Sequence, residues 1–172
     1  MNWVIVVMLV LLLMFPLYVI LFHVMPFLFG AAYEGTTPEE IKIMKKLARA
    51  KKGMKIADLG SGDGRIVREF ARSGADAEGY EINPLLVVWS RWLIRREGLQ
   101  DRAKIYWKSF WDANLGKYDA VVVFQVNFVM PKLRKKLEEE CMKGTEVISN
   151  HWKIDKWKII KKQGDIYLYE KR

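Results

Sequence analysis

Gly60, Gly62 and Gly64 fall at alternate positions in the stretch ADLGSGDGRI (57–66), with Asp58 ahead of the first and Asp63 among them. A backbone this bare lets main-chain N–H groups come close to a ligand. A helix starting behind it adds further N–H groups. A third carboxylate, Glu81, follows about twenty residues on, a spacing that suits hydrogen bonding to ribose hydroxyls. The stretch is not the dinucleotide fingerprint GxGxxG, because Arg65 stands where the last glycine would fall, and no GxxxxGK[ST] phosphate loop occurs. Asp58 and Asp63 would repel a pyrophosphate. An acidic loop suits a ligand that carries positive charge. S-adenosylmethionine, with an ammonium, a sulfonium, a ribose and no phosphate, fits.

These residues need a strand before the loop and a helix after it. Met54 to Leu59 reads as a short buried strand. Gly64 to Ser73 reads as a helix with Ile66, Val67, Phe70 and Ala71 inward, stopped by Gly74. Upstream, Thr37-Pro38-Glu39-Glu40 is a helix start with a capping box. Ala75 to Glu81 predicts a second strand, and Asn83-Pro84 starts a helix that ends at Gly98. Ala103 to Trp107, Tyr118 to Phe124 and Thr145 to Ser149 predict strands three to five, the fourth apolar enough to be covered on both faces. Pro131 to Met142 predicts a helix with Leu133, Leu137 and Cys141 one turn apart, which makes Cys141 a core residue. Trp157 to Lys161 and Asp165 to Tyr169 predict a terminal hairpin around Gln163-Gly164. Strands alternating with helices argue for an α/β fold with a mostly parallel sheet, its last hairpin antiparallel. Trp89 and Trp92, within a helix, are expected in the core.

Met1 to Tyr33 contains no Asp, Glu, Lys or Arg, so the whole formal charge of +9 sits on the rest of the 172-residue chain. Trp3 to Phe29 is interrupted only by Pro16, His23 and Pro26. That run exceeds the about 20 apolar residues a bilayer needs and lacks the basic start of a signal peptide. It predicts one transmembrane helix, residues 1–30, ahead of a domain at 31–172. The lysines from Lys42 to Lys52 then place that domain in the cytoplasm, as a single-pass membrane protein. Basic clusters at Lys132–Lys136 and from Lys153 to Arg172 suit an anionic lipid surface better than nucleic acid for a tethered domain. One cysteine and two histidines exclude an intramolecular disulfide and give no expectation of a metal site.

DLGSGDG followed by Glu81 resembles the first two cofactor motifs of the class I, seven-stranded S-adenosylmethionine-dependent methyltransferases, over about Thr36 to Arg172. A narrower resemblance rests on TTPEEI, DLGSGDGRIV, GYEINPLLVVWSR, the SFW after strand three and VVVFQVNFVMPKL behind an apolar helix. It is to the membrane-associated lysine methyltransferases of the ATP synthase c-subunit and the adenine nucleotide translocase. The resemblance implies a Rossmann-like methyltransferase sandwich, S-adenosyl-L-methionine as cofactor and a lysine ε-amine of a membrane-associated protein as acceptor. Two features depart from the wider fold's pattern. Ser109 stands where an acidic residue usually holds the adenine amino group, and [DN]PP[YF] is replaced by FQVN (124–127).

By that resemblance Asp58 lies near the cofactor ammonium, and Gly60, Ser61, Gly62 and Gly64 form the loop around its methionine portion. Glu81 takes the ribose hydroxyls, Ile82 packs on adenine, and Ser109 and Phe110 meet its edge. Phe124 and Gln125 border the methyl donor, while Tyr33 and Thr37 close the pocket. Gln125, Asn127 and Glu34 are candidates for orienting the acceptor amine, which must be neutral to attack. Three other readings stay open: a methyltransferase acting on a lipid-phase small molecule, an RNA methyltransferase, and a cofactor-binding protein without turnover.

Overall fold

The computed structural model describes residues 3–20 and 35–172. The first element, α1 (Trp3–Val19), is an apolar helix of 17 residues with Pro16 inside it and no buried residue. At 1.5 Å per residue it is about 26 Å long, short of the about 30 Å of a hydrocarbon core. Among the described residues no helix is long and apolar enough to cross a membrane. This corrects the expected transmembrane helix at 1–30 and the single-pass, cytoplasm-facing placement built on it. His23, Pro26, Tyr33 and Glu34 lie outside the described residues.

Seven strands follow: β1 (Lys55–Leu59), β2 (Asp76–Glu81), β3 (Ala103–Trp107), β4 (Ala120–Val123), β5 (Glu146–Asn150), β6 (Lys161–Gln163) and β7 (Ile166–Glu170). They form one sheet in the order β3-β2-β1-β4-β5-β7-β6. The first five run parallel, and β7 returns antiparallel between β5 and β6. Alternation along the strands feeds two cores. Ile56, Ala120, Val122 and Ile148 face one layer, with residues of α2 (Pro38–Leu47), α3 (Arg65–Arg72) and α4 (Pro84–Arg96). Ala57, Leu59, Val121, Val123 and Val147 face the other, with Leu133 and Leu137 of α5 (Met130–Glu140). All four β4 residues are buried, as a strand covered on both faces must be.

Local chemistry sets the helix starts. Thr37 Oγ1 accepts the Glu40 N–H at 3.3 Å, and Glu40 Oε2 accepts the Thr37 N–H at 2.7 Å, a reciprocal capping box. Asn83 Oδ1 caps α4 by accepting the Leu85 N–H at 3.0 Å. At Cys141, the C-cap of α5, burial raises the thiol pKa to about 11, in keeping with a core residue. Two expectations are corrected. Trp89 and Trp92 are about half exposed and stack on each other at 5.0 Å on the outer face of α4. The inner face of that helix is supplied instead by Val87, Ser90 and Ile94. The hairpin's first strand begins at Lys161 rather than Trp157, because Ile154 and Trp157 pack into the second core before the chain turns.

Candidate active site

The strand order reverses between β1 and β4, and in open α/β sheets ligands bind outside the carboxyl ends at that point. Here β1 ends at Leu59 and the glycine loop begins. Gly60, Gly62 and Gly64 all have positive φ. The need for glycine is steric as well as conformational at Gly60, where a Cβ would lie 2.5 Å from Gln125 Nε2. The loop is pinned to β2. The N–H groups of Gly60 and Ser61 both donate to the Tyr80 carbonyl at 3.0 Å. Glu81, buried at the end of β2, accepts the Gly62 N–H at 2.9 Å and the Asn83 N–H at 2.7 Å. Across the crevice, Gln125 Nε2 donates to the Leu59 carbonyl at 2.6 Å. Arg65 chelates Asp63 and donates to the Thr36 carbonyl at 3.0 Å, tying the loop to the approach of α2.

Several buried polar atoms around this crevice have no hydrogen-bond partner among the described residues: Asp58 Oδ2, Ser61 Oγ, Gln125 Oε1 and both amide atoms of Asn150. Such atoms normally find partners, and leaving one unpaired is costly. Asp58 is the extreme case. Its pKa is raised to about 8, first by burial, then by the charges of Glu81 and Asp63. A cationic group is the natural complement of such a carboxylate. The residues present therefore fit S-adenosylmethionine.

Of the residues expected from the sequence, Asp58, Gly60, Ser61, Gly62, Glu81 and Gln125 come together at these strand ends. Gly64 is the N-cap of α3. Ile82 is half-buried, and its carbonyl accepts Trp107 Nε1 at 3.0 Å. Ser109 starts a 3₁₀ turn, Phe110–Asp112, in which Phe110 is buried. Phe124 is half-buried, with its ring 6.4 Å from His151. Thr37 is exposed, its hydroxyl used in the cap. Asn127 is also exposed, at the start of a 3₁₀ turn. Glu34 and Tyr33 lie outside the described residues. Asn150 is absent from the residues expected from the sequence. Its only signal there is a polar residue where the fifth apolar strand ends.

Sheet order, returning hairpin and glycine loop together define the fold of S-adenosylmethionine-dependent methyltransferases. An RNA methyltransferase from Salinibacter ruber, solved with S-adenosyl-L-homocysteine, superposes with a TM-score of 0.77 at 29% identity, over 80% of this chain and 93% of that chain. Residues 58–161 match the family described as the ANTKMT methyltransferase domain, and the chain belongs to that family. The lysine N-methyltransferase of the ATP synthase c-subunit from Xenopus laevis is 38% identical over 125 residues, 73% of this chain and 55% of the relative. A protein-lysine N-methyltransferase of Saccharolobus islandicus is 32% identical over 124 residues, 70% of this chain and 77% of that protein. The chain thus spans about half the length of the first of these relatives.

Proposed function

We propose that this chain, through a catalytic domain at 31–172, transfers a methyl group from S-adenosylmethionine to a lysine ε-amine of a protein. The observation that carries this reading is the set of unpaired buried polar atoms at the β1–β4 switch point, in a chain of this family. Bound cofactor supplies an electrophilic methyl on a sulfonium. Glu81 is oriented to take the ribose hydroxyls, since its two loop contacts already fix the carboxylate. Asp58 meets the ammonium, and Gly60, Ser61 and Gly62 line the methionine portion. Ile82, Ser109 and Phe110 border adenine. Phe124 and Gln125 flank the transfer point, where Gln125 Oε1 is free to accept from an incoming amine. The lysine must arrive neutral, having lost a proton to solvent. S-adenosylmethionine held there would give its methyl group to that amine and leave as S-adenosylhomocysteine. The methylammonium product then sheds its proton to water. The protein's part is position and exclusion of water.

The names of the Xenopus and Saccharolobus relatives favour lysine over other acceptors. The test is radiolabelled methyl transfer by the purified chain to recombinant ATP synthase c-subunit, to total RNA and to extracted lipid, with Glu81→Ala alongside. Label on a c-subunit lysine, lost in the variant, is the expected result. Label confined to RNA or lipid refutes the lysine reading.

A further inference from the structure

Asn150 is the last residue of β5 and only 1% exposed, yet both atoms of its side-chain amide lack a partner among the described residues. The sheet register places it. Asp58 pairs with Val122, and Val122 with Ile148. Alternation along β5 then puts Asn150 on the same face as Ile148, at the carboxyl edge of the sheet. The residue after it, His151, has φ of 70°, a left-handed conformation that non-glycine residues seldom hold. Its ring lies against Phe124. Strain and an unpaired buried amide thus coincide at one strand end, the combination expected where a fold is shaped for a ligand rather than for its own stability.

Two possible ligands share the crevice, and position separates them. Glu81 ends β2, and Asn150 ends β5, three strand spacings away, or about 14 Å. A ribose held by Glu81 occupies the β2–β1 side and leaves the β5 side to whatever receives the methyl group. We propose that Asn150 is the acceptor-side binding residue. Its Oδ1 accepts an N–H of the neutral lysine amine and so turns the nitrogen lone pair toward the methyl donor. This rests on the lysine reading above.

The test compares wild type with Asn150→Leu, a near-isosteric change, and Asn150→Ala. Three quantities are read: kcat/KM with recombinant c-subunit, S-adenosylhomocysteine affinity by calorimetry, and Tm. The expected result for Asn150→Leu is a fall in kcat/KM of about tenfold or more with S-adenosylhomocysteine affinity unchanged. Its Tm rises, because an unpaired buried amide has been replaced by an apolar group. Asn150→Ala shows the same loss of rate. Wild-type kcat/KM in either variant overturns the proposal. A parallel loss of S-adenosylhomocysteine affinity assigns Asn150 to the cofactor and also overturns it. A wild type that binds S-adenosylhomocysteine but methylates no c-subunit lysine refutes the lysine reading itself, and the role of Asn150 goes with it.

Discussion

Glu81 Oε2 accepts the backbone N–H of Gly62 at 2.9 Å, so the carboxylate that ends one strand holds the glycine loop that ends its neighbour. The glycine loop and the carboxylate proposed to bind the ribose are therefore tied together. Glu81→Ala removes both functions. S-adenosylhomocysteine affinity is expected to fall about 100-fold, the worth of two charge-assisted hydrogen bonds. Stability is expected to drop by about 1–3 kcal/mol, because the Gly62 and Asn83 N–H groups lose their acceptor. Calorimetry and urea unfolding check the two effects separately.

Asp58 gives the domain a pH dependence of known sign. Its pKa is about 8 in the fold against an ordinary 3.8, so the folded state holds the proton more tightly than the unfolded chain. The stabilisation this provides is complete below the ordinary value and is lost as pH rises through about 8. Relative to Asp58→Asn, the wild type is expected to lose stability steadily between about pH 4 and pH 8. Cofactor binding should run the opposite way. An ammonium favours the ionised carboxylate, so affinity rises toward pH 8 and binding releases a proton. Calorimetry in buffers of different ionisation enthalpy measures that release, and the Asn variant should show none from this group.

Gly60→Ala places a methyl group 2.5 Å from Gln125 Nε2 at a φ of +89°. The Gln125–Leu59 hydrogen bond must break or the loop must shift. A loss of about 1–3 kcal/mol in stability is expected, together with methyl transfer reduced at least about tenfold. A Gly60→Ala variant with wild-type Tm and rate would show that the crevice yields more readily than its contacts imply.

Lys136 is a buried cation with three acceptors: the Trp111 and Ala113 carbonyls, each at 2.8 Å, and Glu140 Oε1 at 2.6 Å. It anchors the turn that carries Phe110. Lys136→Ala is expected to cost about 3 kcal/mol and to increase hydrogen exchange across residues 109–114. Lys135→Ala, whose pair with Glu139 is exposed, should change stability by less than about 0.5 kcal/mol.

Much of this was legible because it is local. The capping box at Thr37, the Asn83 cap and the apolar strands all lie within a few residues of the signals that announce them. The glycines around Ser61 and the later carboxylate at Glu81 were legible too, since both follow from what a close-approaching ligand requires. Trp89 and Trp92 were misplaced because helical spacing shows which residues share a face but not which face turns inward. The amide of Asn150 escaped because its significance depends on β5 lying beside β4, and no short-range pattern records which strands become neighbours. The apolar amino terminus read as a span from the length and composition of its run, whereas the helix described there, Trp3–Val19, has 17 residues.

Among the described residues the sheet leaves two strands with an unpaired side, β3 and β6. Lys104 stands exposed on the first, and Lys161 and Lys162 on the second, which is only three residues long. An open strand edge is a template on which another chain can add itself, and inserted charge and brevity are the usual deterrents. Both rims of this sheet carry them. A second copy meeting either rim would bring lysine against lysine, so the fold protects itself against edge-to-edge aggregation.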